Sequence, residues 1–544
     1  MCGETFARHR EGVPSGEVNG KPRGSLEPYL PRLVLDWAEH DPVEPWRELD
    51  GSLVSVDLAG FTALAERLQA KGRVGAEELV LAVSGVFEGL IGIAYRRGGD
   101  VLKFRGDALL ILFSGDVHEE RACRAASEML WFIEHTGEKM SSVGEVQLSM
   151  ATGIYSGTCH FFLVESSHRE LVVAGPAATQ TIQLEDAAGG GEVLVSPATA
   201  AAVEPSWLAG ERGGAALLEL DRDPDAAAPP VFEAESEPSA VELDAYLPAQ
   251  LRGYLRLAAG EAEHRQVTAA FLKFTGVEAL LAKGGPEAVS EPLAELGALV
   301  GGLTSEFGIT WLESDIDVDG GKLYLTAGAP SSTGADEEAM LRALRAILDA
   351  DSALTLRAGV NRGPAFAGDV GASARRSYTV MGDIVNLAAR LAARAEPGEI
   401  LATGEMLERS RSRFETSPRP FLVKGKERAI TAYSVGALVG VAEEEQAEEL
   451  SLVGREQEVD ELRAAIEAAR LRQGQVAELV GEPGIGKSRL VEELKTMAVG
   501  FTQLVTHCDQ YASSVPYFPF RKLLRPLAGT TEAESAAEAA ARLK

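Results

Sequence analysis

Two aspartates carry the first chemical signal: Asp57 closes the apolar run LVSVDLAGFT, and Asp107 stands about fifty residues on, in KFRGDALLILF. Alone, each has an ordinary explanation, Asp57 as a helix N-cap and Asp107 as a turn residue. Together they can do more, because phosphoryl chemistry with two divalent ions roughly 4 Å apart needs carboxylates that both ions share. A second signal is GEPGIGKS, in which Gly481, Gly484, Gly486, Lys487 and Ser488 have the spacing of a P-loop. Glycines there let successive N–H groups curl around phosphates, Lys487 reaches the β and γ phosphates, and the Ser488 hydroxyl can ligate magnesium.

These residues need elements to hold them. The segment LVSVDLAGFT reads as a buried strand, followed by an amphipathic helix through LAERL and a second helical run around Leu79–Ile93. A hairpin comes next, its arms VLKF and ALLILF flanking the polar turn Arg105-Gly106-Asp107. After a Pro-, Ala- and acid-rich stretch at 221–242 the same order of elements returns: strand VTAAFLKFTGVEALL, a long helix, hairpin DVDGGKLYLTAG, a helix through MLRALRAIL, then strands and one more helix. An internal repeat of about two hundred residues organises the chain. The expected divisions are a disordered leader at 1–25, a first domain at 26–220, a linker at 221–262, a second domain at 263–437, an acidic linker at 438–450 and a partial P-loop NTPase domain at 451–544.

The balance of 52 basic against 82 acidic residues gives a net charge of −30, which disfavours nucleic acid and anionic membrane as partners. Cys2, Cys123, Cys159 and Cys508 have neither metal-ligand spacing nor the density of a disulfide scaffold, as expected of thiols in a reducing cytoplasm. No stretch has the length of an apolar membrane span, and MCGETFARHR lacks a signal peptide's apolar core. A cytoplasmic protein is expected.

The run Asp57-Leu-Ala-Gly60-Phe61-Thr62, followed by Lys103-Phe-Arg-Gly106-Asp107, resembles the metal-binding half of the class III nucleotidyl cyclases. The resemblance implies that Asp57 and Asp107 hold two Mg2+ or Mn2+ ions, with Ala59, Gly60, Phe61 and Thr62 lining the phosphates. RRSYTVMGDIVNLAARL is similar to the family's helix that carries an Asn and an Arg one turn apart, here Asn386 and Arg390. That spacing places both on one helix face, where an amide can orient the ribose and a guanidinium can neutralise charge on the transferring phosphate. For purine choice the resemblance points to Thr379, a residue that ATP-using members carry where guanylyl cyclases have Cys, and to a hairpin Lys, for which Lys322 is the candidate. Aligning the two hairpins on their glycines puts Lys322 opposite Asp107.

The repeats are complementary in what they lack. The second has Lys273 in place of Asp57; the first has Thr179 and Gln183 in place of Asn386 and Arg390. An intramolecular pseudo-twofold pair would then hold one complete ATP site and one degenerate site. The order of elements is most similar to the bicarbonate-responsive soluble adenylyl cyclases. This implies a regulatory role for Lys103 and a small-molecule regulator in the degenerate site, although Thr181-Ile182-Gln183 offers no Arg for bicarbonate. LVGRE before the P-loop is similar to the entry of AAA-like signalling NTPases; no Walker B strand follows, so hydrolysis by this segment is not expected and the chain looks truncated. The expected fold class is α+β: two ferredoxin-like cyclase domains, each an antiparallel sheet with helices on one face, then part of an α/β P-loop domain. The expected reaction is ATP to cyclic AMP and pyrophosphate. Two rivals stay open, a nucleotide-sensing signalling ATPase with a pseudo-cyclase pair and a guanylyl cyclase.

Overall fold

The computed structural model describes residues 26–60, 73–136, 148–220, 243–258, 263–421, 430–441, 455–480 and 487–504, with 520 and 523. Two compact units divide the chain, Met1–Gly440 and Val441–Lys544. The leader and the helix expected through LAERL lie outside the described residues.

The first repeat opens with helix α1 (Arg32–His40) and the long strand β1 (Trp46–Ala59). Helix α2 (Arg73–Arg96) leads to the hairpin β2 (Gly99–Arg105) and β3 (Ala108–Ser114), then α3 (His118–Thr136). The hairpin β4 (Ser149–Glu165) and β5 (Arg169–Ala174) precedes α4 (Pro176–Ala187), and β6 (Glu192–Val195), α5 (Pro197–Ala202), β7 (Leu208–Arg212) and β8 (Ala215–Leu218) complete the repeat. Helix α6 (Ala249–Ala258) introduces the second: β9 (Glu263–Thr275), α7 (Val277–Phe307), the hairpin β10 (Thr310–Asp317) and β11 (Gly320–Ala327), and α8 (Asp336–Asp349). Then follow β12 (Thr355–Gly371), β13 (Arg376–Met381), α9 (Asp383–Arg394), β14 (Ile400–Thr403), α10 (Gly404–Arg409), β15 (Ser412–Phe421) and β16 (Ile430–Val441).

The two sheets have one strand order, β2-β3-β1-β4-β6-β8-β7 and β10-β11-β9-β12-β14-β16-β15, with β5 and β13 hanging from β4 and β12. They are not purely antiparallel: β4 pairs with β6, and β12 with β14, in parallel. A helical crossover, α4 in one and α9 in the other, separates each such pair and permits the parallel return. Nor are helices confined to one face. Val54, Val56 and Leu58 of β1 pack with α2 and α3, whereas Leu53, Leu110 and Leu112 face a core shared with α1, α4, α6, α9 and the second sheet. Both faces of these strands are apolar, so both must be covered.

Three other expectations change. The stretch assigned to a linker carries α6, whose Leu251 and Leu255 are buried, with Leu247, at the helical spacing of four that was passed over. The strand expected through VTAAFLKFTGVEALL stops at Thr275, because Gly276 takes a left-handed φ of 109° and opens α7. In the second unit, α11 (Glu456–Arg470) and α12 (Lys487–Met497) form, whereas VAELV at 476–480, whose apolar character before the P-loop suggests a strand, has no ladder partner among the described residues and stays irregular.

Candidate active site

Side chains of a strand alternate, so Leu53, Ser55 and Asp57 share the face that looks toward the second repeat. Asp57 pairs across the backbone with Ala108 of β3 and Ala151 of β4, which sets it beside the two-residue turn of Gly106 and Asp107. Gly106, at φ 75°, supplies the left-handed step that the turn requires. Burial, and then repulsion from Asp57, pushes the Asp107 carboxyl up to about 7. Burial and then Glu185 raise Asp57, against the pull of Arg105. Two half-buried carboxylates that repel one another are what a divalent cation neutralises, so the pair fits Mg2+ or Mn2+. Among the described residues no group of three or more His, Cys, Asp or Glu forms a metal cluster. Ala59 is exposed and Gly60 takes a φ of 112°; Phe61 and Thr62 lie outside the described residues.

Asn386 and Arg390 stand fourth and eighth in α9, the first half-buried and the second exposed. Their helix is pressed onto the sheet at Gly359: a Cβ there would lie 2.4 Å from the carbonyl oxygen of Ala388 and 2.0 Å from the nitrogen of Ala392. Gly153 plays the same part under α4, 2.5 Å from the Thr181 oxygen and the Glu185 nitrogen. The two glycines bring the repeats into register. Asp57 lies opposite Ala151 and Lys273 opposite Arg357, each two residues before its glycine, so Lys273 holds the place of Asp57. Thr179 and Gln183 are fourth and eighth in α4, the places of Asn386 and Arg390.

The same register relates the hairpins. The pair Arg105–Ala108 matches Asp315–Lys322, and Lys103 matches Glu313, each just past a bulge. Lys322 is therefore not at the register of Lys103; its Nζ is 2.8 Å from Asp315 Oδ2. Thr379 is buried in β13 opposite Gly368. The buried Lys103 Nζ donates to Glu170 Oε1 at 2.5 Å and to Ser314 Oγ at 3.2 Å. Burial alone would raise the Glu170 carboxyl, but Lys103 and His168 outweigh it and hold it at about 2. Glu313 goes the other way: burial pushes it up to about 8, opposed by Lys103 and reinforced by Asp315.

Arg105, part of the KFRGD run but given no role in the sequence reading, is the hub of this interior. Its guanidinium donates to Ser55 Oγ at 2.6 Å, to Glu185 Oε2 at 2.8 Å and to Asp315 of the other repeat. The signal was available in the sequence, since a charged residue on the inward face of a strand between apolar neighbours demands a buried partner. The P-loop glycines Gly481, Gly484 and Gly486 lie outside the described residues. Lys487 and Ser488 open α12.

Residues 261–436 match the family model of the adenylate and guanylate cyclase catalytic domain, and residues 451–544 match that of an AAA ATPase domain. Adenylate cyclase type 10 of Oryctolagus cuniculus is 24% identical over 428 residues, 67% of this chain and 25% of that protein. The chain thus spans about a quarter of the length of the curated relatives it matches. An uncharacterized protein of Mycobacterium tuberculosis is 31% identical over 159 residues, 27% of each chain. Among solved structures, a class III adenylyl cyclase-like ATP-binding protein from Pseudomonas aeruginosa aligns at 13% identity and a TM-score of 0.49, covering 67% of this chain and 85% of that one. The adenylyl cyclase CyaB of the same organism aligns at 26% identity and a TM-score of 0.29, over 32% of this chain and 96% of that one. Among the described residues no helix is long and apolar enough to cross a membrane.

Proposed function

We propose that the two repeats form one adenylyl cyclase site, which converts ATP to 3′,5′-cyclic AMP and pyrophosphate, and that the AAA ATPase module binds a second nucleotide through Lys487 and Ser488. The observation that carries this is the complementary deficit of the repeats: Lys273 stands where the second repeat would need the carboxylate of Asp57, and Thr179 and Gln183 stand where the first would need Asn386 and Arg390. Neither repeat is complete alone, and a pair about a pseudo-twofold axis is complete once.

In this reading Asp57 and Asp107 hold Mg2+ or Mn2+, which supplies charge neutralisation to the triphosphate and acidifies the ribose 3′-hydroxyl. The main chain of Ala59, Gly60, Phe61 and Thr62 lines the phosphates. Asn386 holds the ribose so that its 3′-oxygen faces the α-phosphorus; the new O–P bond forms as the bond to the pyrophosphate oxygen breaks, and the 3′-hydroxyl proton passes to water. Arg390, exposed on α9, meets the charge that grows on the α-phosphoryl oxygens.

Purine choice separates two readings of the site. Thr379 is the residue of ATP-using relatives, whereas Glu313, at the register of Lys103, becomes an acceptor for the N1–H and 2-amino donors of guanine only when it sheds the proton that burial holds on it up to about 8. With Mn2+ and equal ATP or GTP, cyclic AMP is the expected main product. Preference for GTP would move the assignment to a guanylyl cyclase, and no cyclic product from either would favour a nucleotide-sensing pseudoenzyme.

A further inference from the structure

The turn of β2 and β3 has two residues, Gly106 and Asp107, after the pair Arg105–Ala108. The matching pair in the second repeat, Asp315–Lys322, is followed by six, 316 to 321, so this hairpin runs two pairs further, about 7 Å of strand. The extra length is tied down at each step. Asp317 Oδ2 lies 2.7 Å from the Nζ of Lys273, the residue at the place of Asp57. Asp319, held at a φ of 56°, turns its carboxylate onto the N-terminus of α7: Oδ2 accepts from the Gly276 N–H at 3.1 Å and Oδ1 from the Glu278 N–H at 2.9 Å. Its carbonyl oxygen accepts from Gly276 and Val277 at 3.0 and 3.2 Å. Its own N–H donates to Thr179 Oγ1 of the first repeat at 2.9 Å, and that hydroxyl donates to Glu278 Oε1 at 2.5 Å.

The register gives these contacts their meaning. Counting on from Lys273 and Asp57, Gly276 holds the place of Gly60, with a φ of 109° against 112°, and Glu278 the place of Thr62. Thr179 holds the place of Asn386. The contacts of Asp319 therefore join the two sides of the degenerate site that a nucleotide would bridge in the complete one. A carboxylate at a helix N-terminus engages the same N–H groups and the same dipole that a phosphate would. Asp319 and Glu278 also gather negative charge there, which a triphosphate would have to meet.

We infer that the degenerate site is plugged by its own hairpin, Asp319 standing where a nucleotide phosphate would lie, so that the two repeats together take one nucleotide. The inference rests on the reading of residues 57–62 as the nucleotide loop; the plug itself does not.

Two measurements on the full-length chain keep these apart. Hydrogen exchange of a peptide covering 274–280 tests the plug without nucleotide: Asp319→Gly, which suits the left-handed φ and removes the carboxylate, should speed exchange of the Glu278 amide about tenfold or more, while the Gly276 amide keeps its bond to the residue-319 carbonyl. Unchanged exchange overturns the plug. Titration with α,β-methylene-ATP and Mn2+, in a chain carrying Lys487→Ala to remove the P-loop's contribution, should give one equivalent, lost in Asp57→Asn. Two equivalents would overturn the inference. No binding, with the exchange result intact, would leave the plug standing and refute the cyclase reading instead.

Discussion

Arg105 and Asp315 occupy the same register in the two hairpins and bond to one another, each with 8% of its side chain exposed. Like-with-like pairing of either hairpin would bury two equal charges, so this contact favours the first repeat against the second. Replacing the guanidinium strands Glu185 and Asp315 without their shared partner, and the loss of one member of a buried ion network typically costs about 3–5 kcal/mol. Arg105→Met should lower stability by that amount in denaturant unfolding, and Arg105→Lys by less. Glu313 gives a test in pH. Its carboxyl sits at about 8 in the folded chain against an ordinary 4.5, so the folded state holds an extra proton between those values and stability falls as pH rises through that window. Glu313→Gln should therefore gain melting temperature over the parent as pH goes from 5 to 8. A difference that shrinks over that range would contradict the burial of this carboxyl. Glu170 works in the opposite window, stabilising above 4.5 and losing that contribution as pH falls toward about 2.

At the scale of elements, the helices that carry Thr179 and Asn386 are placed by close approach to the sheet. A methyl group at Gly359 would drive into the backbone of α9, so Gly359→Ala should cost about 2–3 kcal/mol and displace Asn386 and Arg390 together. Chemical-shift changes confined to residue 359 would contradict this. Much of this layer was legible beforehand: apolar runs gave β1 and the β2–β3 hairpin, and the resemblance of RRSYTVMGDIVNLAARL to the cyclase helix gave α9. What escaped has physical causes. The helix α6 was masked by the composition of the stretch before it, although its leucines keep a helical period. The expected antiparallel sheet became mixed because a helical crossover lies between β4 and β6, and periodicity cannot tell a parallel neighbour from an antiparallel one. The hairpin register of Lys322 failed on glycine alignment because the second turn is four residues longer, and only the bulges fix the match.

Across the whole unit Met1–Gly440, the shared core is built from residues of both repeats: Leu102, Leu110 and Phe161 of the first meet Ala269, Leu312 and Val385 of the second in one buried cluster. The repeat and the helix that carries Asn386 and Arg390 were readable from sequence. The ion network between the repeats was not, since partners 210 residues apart, such as Arg105 and Asp315, have no local signature. The account stands or falls on one composite site within one chain. Its most direct test is the rate of cyclic AMP formation from ATP and Mn2+ by the full-length protein, by Asp57→Asn, by Arg390→Ala and by an equimolar mixture of the two variants. Each variant should fall by about a hundredfold or more, as loss of a metal ligand or of a charged donor to the transition state demands, and the mixture should recover nothing. Substantial recovery on mixing would show that the site forms between chains, and near-normal rates in either variant would contradict the assignment outright.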